Sequence, residues 1–209
     1  MKTKVAKALL DIEAVFLSPK KPFIWASGIK SPIYCDNRLT LSDPFTRDLI
    51  KISLAEAIKK NFEECEYIMG TATAGIAHAA LVADLLGLPM GYVRTSSKTH
   101  GRKSKIEGKI IEKAKVVVIE DLISTGGSSI EVVKTLKESG FIVLGVVAVF
   151  SYELLKAKEA FKSIDVPYIA ISDYDALKEL AITKGYITKE EDEKLNLWKI
   201  NPEDESWID

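Results

Sequence analysis

Apolar positions along this chain follow two rhythms, and the change from one to the other marks out its elements. Near the start Val5, Leu9, Ile12 and Phe16 recur at helical spacing, which predicts a helix from residue 2 to about 17, stopped by Pro19 and Pro22. A short irregular segment follows. At Ser42-Asp43-Pro44-Phe45 the sequence offers a capping residue and a proline in the first turn, and Leu49, Ile52, Leu54 and Ile58 continue an apolar face to about Asn61.

From there short apolar runs alternate with amphipathic ones. Tyr67-Ile68-Met69 predicts a strand, Ala74 to Leu86 an alanine-rich helix closed by Gly87, and Leu88 to Arg94 the next strand. Lys115 to Ile119 predicts a buried strand, residues 128 to 139 a helix stopped by Gly140, and Phe141 to Phe150 a valine-rich strand. A helix near 153 to 162, a strand at Tyr168 to Ile171 and a helix near 173 to 183 extend the scheme, leaving an acidic tail with Trp198 and Trp207. Such alternation predicts an α/β fold with a central, mainly parallel sheet flanked by helices. Thr95 to Lys109 breaks the pattern: it is polar, holds six basic groups counting His100, and has one large apolar residue, Ile106. A loop of that length and polarity in a compact domain reads as a functional lid or a disordered segment.

Composition narrows the classes. With 209 residues and 47% apolar content the chain is expected to form one integrated domain with a substantial core. A formal net charge of −1 with 28% charged residues gives no bulk attraction for nucleic acid or an anionic membrane, so any positive field is local. No apolar run approaches the roughly 18 residues of a membrane helix, and the first ten residues lack a signal core, so a cytoplasmic location is expected. Cys35 and Cys65 match no metal-ligand spacing and read as buried free thiols in a reducing compartment.

The strongest chemical signal runs from Val116 to Ser128: Val-Val-Val-Ile, then Glu120-Asp121-Leu122-Ile123-Ser124-Thr125-Gly126-Gly127-Ser128. Ligands of open α/β sheets bind at the carboxyl ends of strands, where Glu120 and Asp121 emerge. Gly126 and Gly127 let main-chain N–H groups converge, and the following helix start adds positive potential, which suits a phosphate monoester. Two carboxylates beside a bare phosphate would repel it. They therefore face something neutral or cationic attached to that phosphate, such as ribose hydroxyls or a metal ion.

This segment resembles the 5-phosphoribosyl 1-diphosphate motif of the type I phosphoribosyltransferases. Phe23 to Arg38, Gly70 to Ile76, the run Tyr92-Val93-Arg94 with Lys98, His100 and Gly101, and the ending Leu197-Trp198, Asn201-Pro202 and Trp207 resemble, in order, the corresponding parts of orotate phosphoribosyltransferases. The resemblance implies that Glu120 and Asp121 contact the ribose hydroxyls and that Ser124 to Ser128 wrap the 5-phosphate, while the glycine-rich turn from Gly70 to Gly75, with Thr71, Ala72 and Thr73, fits a second phosphate contact at a helix N-terminus. It divides the chain into an N-terminal helix and base-covering hood at 1–40, a core at 41–185 and a tail at 186–209 that packs on core or hood. Arg94, Lys98 and His100 are the implied catalytic groups, closing over the diphosphate from a neighbouring subunit of a homodimer with shared active sites. Mg2+ is the implied cofactor, held by substrate oxygens and water. Ser124 is the expected side-chain contact to orotate, and Tyr34 lies in the base-covering stretch. Where some members have cationic residues this chain has Ala26, Thr95, Ser96, Ser97 and Tyr152, so Lys30 or main-chain N–H groups are candidates to face the base.

The expected reaction is reversible transfer of ribose 5-phosphate to orotate, giving orotidine 5′-phosphate and diphosphate in pyrimidine synthesis. A purine phosphoribosyltransferase and a non-catalytic sensor of the sugar diphosphate are the alternatives. His78, in the alanine-rich helix, reads as a hydrogen-bonded structural residue.

Overall fold

The computed structural model describes residues 1–25, 28–94 and 105–208. Helix α1 spans Lys2–Asp11, shorter than its apolar spacing predicts. Glu13 takes a positive φ of 57° and ends it, and Val15–Leu17 forms strand β1 instead, so Phe16 belongs to a strand. The β-branched and aromatic residues there find a partner in β4 (Ile33–Cys35), with Phe16 opposite Tyr34. Between them β2 (Phe23–Ile24) and β3 (Lys30–Ser31) form a second small antiparallel pair. A 3-10 helix, Asn37–Ser42, leads into α2 (Pro44–Asn61), where Asp43 accepts the Thr46 N–H at 2.7 Å with proline in the first turn.

The core then follows with strands and helices alternating except where β6, β7 and β8 come in succession: β5 (Tyr67–Thr71), α3 (Gly75–Leu86), β6 (Met90–Val93), β7 (Ile106–Glu107), β8 (Lys115–Ile123), α4 (Gly127–Glu138), β9 (Ile142–Ser151), α5 (Leu155–Ser163), β10 (Tyr168–Asp173) and α6 (Tyr174–Thr183). These strands form a sheet in the order β10-β9-β8-β5-β6-β7, parallel except for β7, which runs antiparallel to β6. The mainly parallel α/β sheet read from the sequence is thus observed. Strand β8 is longer than its apolar run, because Glu120 to Ile123 continue the ladder opposite Ala148 to Ser151 of β9.

Side chains of the central strands point alternately into two cores, one on each face. Val117 and Ile119 of β8 join Ala79, Val82 and Ala83 of α3 on one side. Val116 and Val118 join Val132, Val133 and Leu136 of α4 on the other. Helices α3 and α4 therefore leave adjacent strands β5 and β8 toward opposite faces, which opens a crevice at the carboxyl ends of those two strands.

The acidic tail holds a helix that hydrophobic spacing does not announce, α7 (Lys189–Ile200). Its buried stripe is only Leu195 and Trp198, but a capping box secures its start: Glu191 N–H donates to Thr188 Oγ1 at 3.2 Å and Thr188 N–H to Glu191 Oε2 at 2.7 Å. Trp198 is fully buried, donates its indole N–H to the Lys30 carbonyl at 3.2 Å, and meets Trp25 and Tyr152 edge-on. Replacing Trp198 by alanine is expected to cost about 3–5 kcal/mol of stability, read as a lowered midpoint in urea or thermal unfolding.

Candidate active site

The crevice is built from two strand ends. Strand β5 ends at Thr71, whose hydroxyl is buried without a hydrogen-bond partner, and a cis peptide joins Ala72 to Thr73. Helix α3 follows at Gly75, where a Cβ would lie 2.6 Å from the Ile119 carbonyl oxygen of β8. Only glycine lets this turn approach the neighbouring strand so closely.

Strand β8 delivers Glu120 and Asp121 one residue pair beyond Ile119, and the chain turns through Ser124 and Thr125 to Gly126, whose φ of +84° favours glycine. Helices α2, α6 and α7 are capped by the side chains of Asp43, Asp173 and Thr188, whereas α1, α3, α4 and α5 have no side-chain cap; of these, α3 and α4 begin on Ala74 and Gly126 beside the crevice. First-turn N–H groups of α3 and α4 that the helix itself does not satisfy are available to a ligand there, although in α3 the Ile76 N–H already donates to the Thr73 carbonyl at 3.2 Å.

Glu120 is only 3% exposed although it is an acid. Its Oε2 accepts from Ser129 Oγ at 2.8 Å and from Ser128 Oγ at 3.4 Å, and its Oε1 accepts the Asp121 N–H at 3.1 Å. Burial first, and then the adjoining Asp121 carboxyl, push its pKa up to about 8 against the opposing hydrogen bond from the Ser129 hydroxyl. The main chain of Asp121 is fixed from the N-terminal segment: Asn37 Nδ2 donates to the Asp121 carbonyl at 2.6 Å, while Asn37 Oδ1 accepts from Cys35 Sγ at 3.3 Å. Burial, then the charges of Asp121 and Asp36, raises the Cys35 thiol well above its ordinary value, so it stays a donor. Burial lowers the pKa of His78, which keeps the ring neutral inside α3.

Two clefts flank the turn. One of about 460 Å³ is lined by Cys35, Asp36, Arg38, Thr73, Ala74 and Asp121. Arg38 there makes a two-point pair with Asp36, both contacts at 2.7 Å. The other, about 700 Å³, brings Ser124 and Thr125 against Trp25, Lys30 and Lys156. Lys30 Nζ is paired with Glu205 Oε2 at 2.7 Å and Lys156 Nζ with Glu203 Oε1 at 3.3 Å, so tail carboxylates hold both cations at this rim.

Of the residues singled out in the sequence, the fold brings Thr71 to Thr73, Glu120 to Ser128 and Lys30 to the same end of the sheet. Tyr34 is 40% exposed on β4, its ring tilted against Phe23. Arg94 follows β6 at that end, but its guanidinium pairs with Glu107 of β7 at 3.4 Å. Lys98 and His100 lie outside the described residues, as do Ala26 and Ser27. Asn37 and Ser129 were not anticipated. Ser129 carried a faint signal as a second hydroxyl after the glycine turn. Asn37 carried none, since its partner lies 84 positions away.

Among the described residues no group of three or more His, Cys, Asp and Glu side chains gathers as a metal cage. A pair of carboxyls beside a phosphate cradle nonetheless fits Mg2+, which keeps several waters and takes its remaining oxygens from one or two carboxylates and a phosphorylated substrate.

Residues 47–172 match the phosphoribosyl transferase domain family. The chain is 54% identical over 208 residues to an orotate phosphoribosyltransferase of Bacillus subtilis, covering 100% of this chain and 96% of that one. Among solved structures, orotate phosphoribosyltransferase from Aeropyrum pernix is 28% identical with a TM-score of 0.76, over 88% of this chain and 99% of that one. UMP synthase of Leishmania donovani is 25% identical with a TM-score of 0.81 over 95% of this chain, which spans 42% of that longer protein.

The Glu120 carboxyl makes the ligand-free protein sensitive to pH. Its ordinary value is 4.5 and its folded value about 8, so between them the folded state holds a proton that the unfolded state has lost. Stability from this group is therefore present at low pH and falls as pH rises through that window. Glu120→Gln removes the titration, so the thermal midpoint of the ligand-free wild type should drop relative to the variant from about pH 4.5 to 8. Parallel curves would mean that the carboxyl is ionised throughout.

Proposed function

The chain belongs to the orotate phosphoribosyltransferases and transfers ribose 5-phosphate from 5-phosphoribosyl 1-diphosphate to orotate; we propose that it does so with magnesium, in the crevice between β5 and β8. The observation that carries this placement is the acid pair Glu120–Asp121, the first buried and the second partly exposed, followed a few residues on by an uncapped, glycine-led helix start. The acids receive the ribose hydroxyls, and the N–H groups from Ser124 to Ser128, with Leu122 and Ile123 setting the turn, receive the 5-phosphate. Thr71, Ala72 and Thr73 face the diphosphate at the start of α3.

Orotate lies against Ser124 under the segment that carries Lys30 and Tyr34. It is already an anion at neutral pH, so its ring nitrogen attacks the anomeric carbon without a strong general base. The bond to diphosphate breaks as the new bond forms, through a transition state with cationic character on the sugar. Catalysis rests on positioning and on stabilising the leaving charge. Magnesium, when bound with the diphosphate, neutralises part of that charge. Arg94, Lys98 and His100 act on the same charge and exclude water, and they reach the site from the second subunit of a homodimer.

An exposed apolar stripe supports a second copy. Phe45 is 73% and Ile52 46% exposed, two turns apart on α2, with Leu39 exposed in the preceding 3-10 helix. The free thiols of Cys35 and Cys65 support action in the cytoplasm.

Loss of orotate absorbance on mixing with the sugar diphosphate and magnesium measures the reaction directly. Turnover with adenine or hypoxanthine in place of orotate would overturn the base assignment, and binding of the sugar diphosphate without turnover on any base would favour a sensor. Lys98→Ala should lower kcat by roughly 100-fold with the fold intact. Mixing Lys98→Ala with Glu120→Ala chains should restore activity that neither has alone, because a mixed dimer keeps one unaltered site. No restoration would count against sites shared between subunits.

A further inference from the structure

Ser129 lies one residue beyond the segment assigned to the phosphate, and its surroundings give it separate work. It is buried, at 1% exposure, in the first turn of α4. The hydroxyls farther along this helix and at its end turn back to main-chain carbonyls, as Thr135 does to Glu131 and Ser139 to Thr135. Ser129 instead donates across to Glu120 Oε2 at 2.8 Å, and Glu120 is itself buried at 3% exposure.

The neighbouring hydroxyl behaves differently. Ser128 reaches the same oxygen only at 3.4 Å, near the limit of a hydrogen bond, and it stands at the open end of the phosphate turn. When a phosphate occupies that turn, Ser128 is free to rotate toward it, which leaves Ser129 as the side-chain donor on Oε2. The Asp121 N–H holds the other oxygen at 3.1 Å. Two donors, one on each oxygen, fix the plane of the carboxyl.

We infer that Ser129 is a positioning residue of the sugar site, holding the Glu120 carboxyl so that its remaining acceptor sites face the ribose hydroxyls. The inference rests on the role given to Glu120 under the proposed function. Ser129 itself touches neither sugar nor base. Without its hydroxyl, Glu120 has a poorer set of donors and the adjoining Asp121 carboxyl as its nearest competitor. The ribose then meets a carboxyl that rotates, and the sugar diphosphate binds less tightly while the base cleft beside Ser124 is unaltered.

A double-mutant cycle separates this from a general effect of the substitution. Binding of 5-phosphoribosyl 1-diphosphate with Mg2+ is measured by calorimetry for wild type, Ser129→Ala, Glu120→Ala and the double variant, with thermal midpoints recorded for each. Ser129→Ala should weaken binding roughly tenfold, the scale expected for a lost hydrogen bond. In the Glu120→Ala background the same change should alter affinity by less than about twofold, because the group it acts through is gone. Steady-state rates should show a raised KM for the sugar diphosphate and an unaltered KM for orotate.

An equal loss in both backgrounds, unaltered affinity in Ser129→Ala, or an equal rise in both KM values would overturn the inference while leaving the enzyme assignment standing. Absence of sugar-diphosphate binding in the wild type would overturn both.

Discussion

A strand covered on both faces can show polar side chains only where its cover ends, and β8 reaches that point at Glu120. Upstream, Val116 to Ile119 are fully buried between α3 on one face and α4 on the other. Because those helices depart in opposite directions, the strand end is also where a crevice forms. The same arrangement thus supplies apolar cover, an opening and two helix starts with unspent N–H groups. It also leaves the first acid under cover, which is why Glu120 holds its proton so far above the ordinary carboxylate range.

Around this fixed centre the N-terminal segment is held from two sides. Asn37 ties it to the Asp121 carbonyl, and Trp198 ties it to the C-terminal helix through the Lys30 carbonyl. Trp25 stacks on Tyr152 with rings 5.2 Å apart, and Trp198 and Phe150 close the cluster edge-on. Tyr152 is a buried packing surface whose hydroxyl pKa is pushed upward by burial. The rim cations Lys30 and Lys156 are each matched by a tail glutamate, so local positive field at the cleft is tempered until a substrate anion competes for them.

Much of this was legible along the chain. Contiguous features carried furthest: the valine-rich run, the acid pair and the glycine turn lie within thirteen residues and report one another's context. Elements failed where tertiary pairing overrode local spacing. Phe16 continues a helical pattern in sequence, yet pairing with Tyr34 draws it into β1. The capping box at Thr188 was present, but a stripe of two buried residues is too narrow to mark α7 by periodicity. At the site, Asn37 escaped because a hydrogen bond to a main-chain carbonyl 84 positions away leaves no compositional trace, and Ser129 because a second serine after the glycine turn does not say which side chain its hydroxyl will meet.

Strand β7 is short, yet it changes what the basic segment before it can be. Glu107 and Ile106 pair with Tyr92 and Val93, and the Arg94 N–H donates to the Lys105 carbonyl at 2.8 Å. The chain leaves and re-enters the sheet at one place, like a drawstring with both ends knotted to the same eyelet. The entropy of closing a loop rises only slowly with its length. The register of this edge is therefore set by Tyr92, Val93, Ile106 and Glu107 themselves, and the length of the segment that joins them costs the core little.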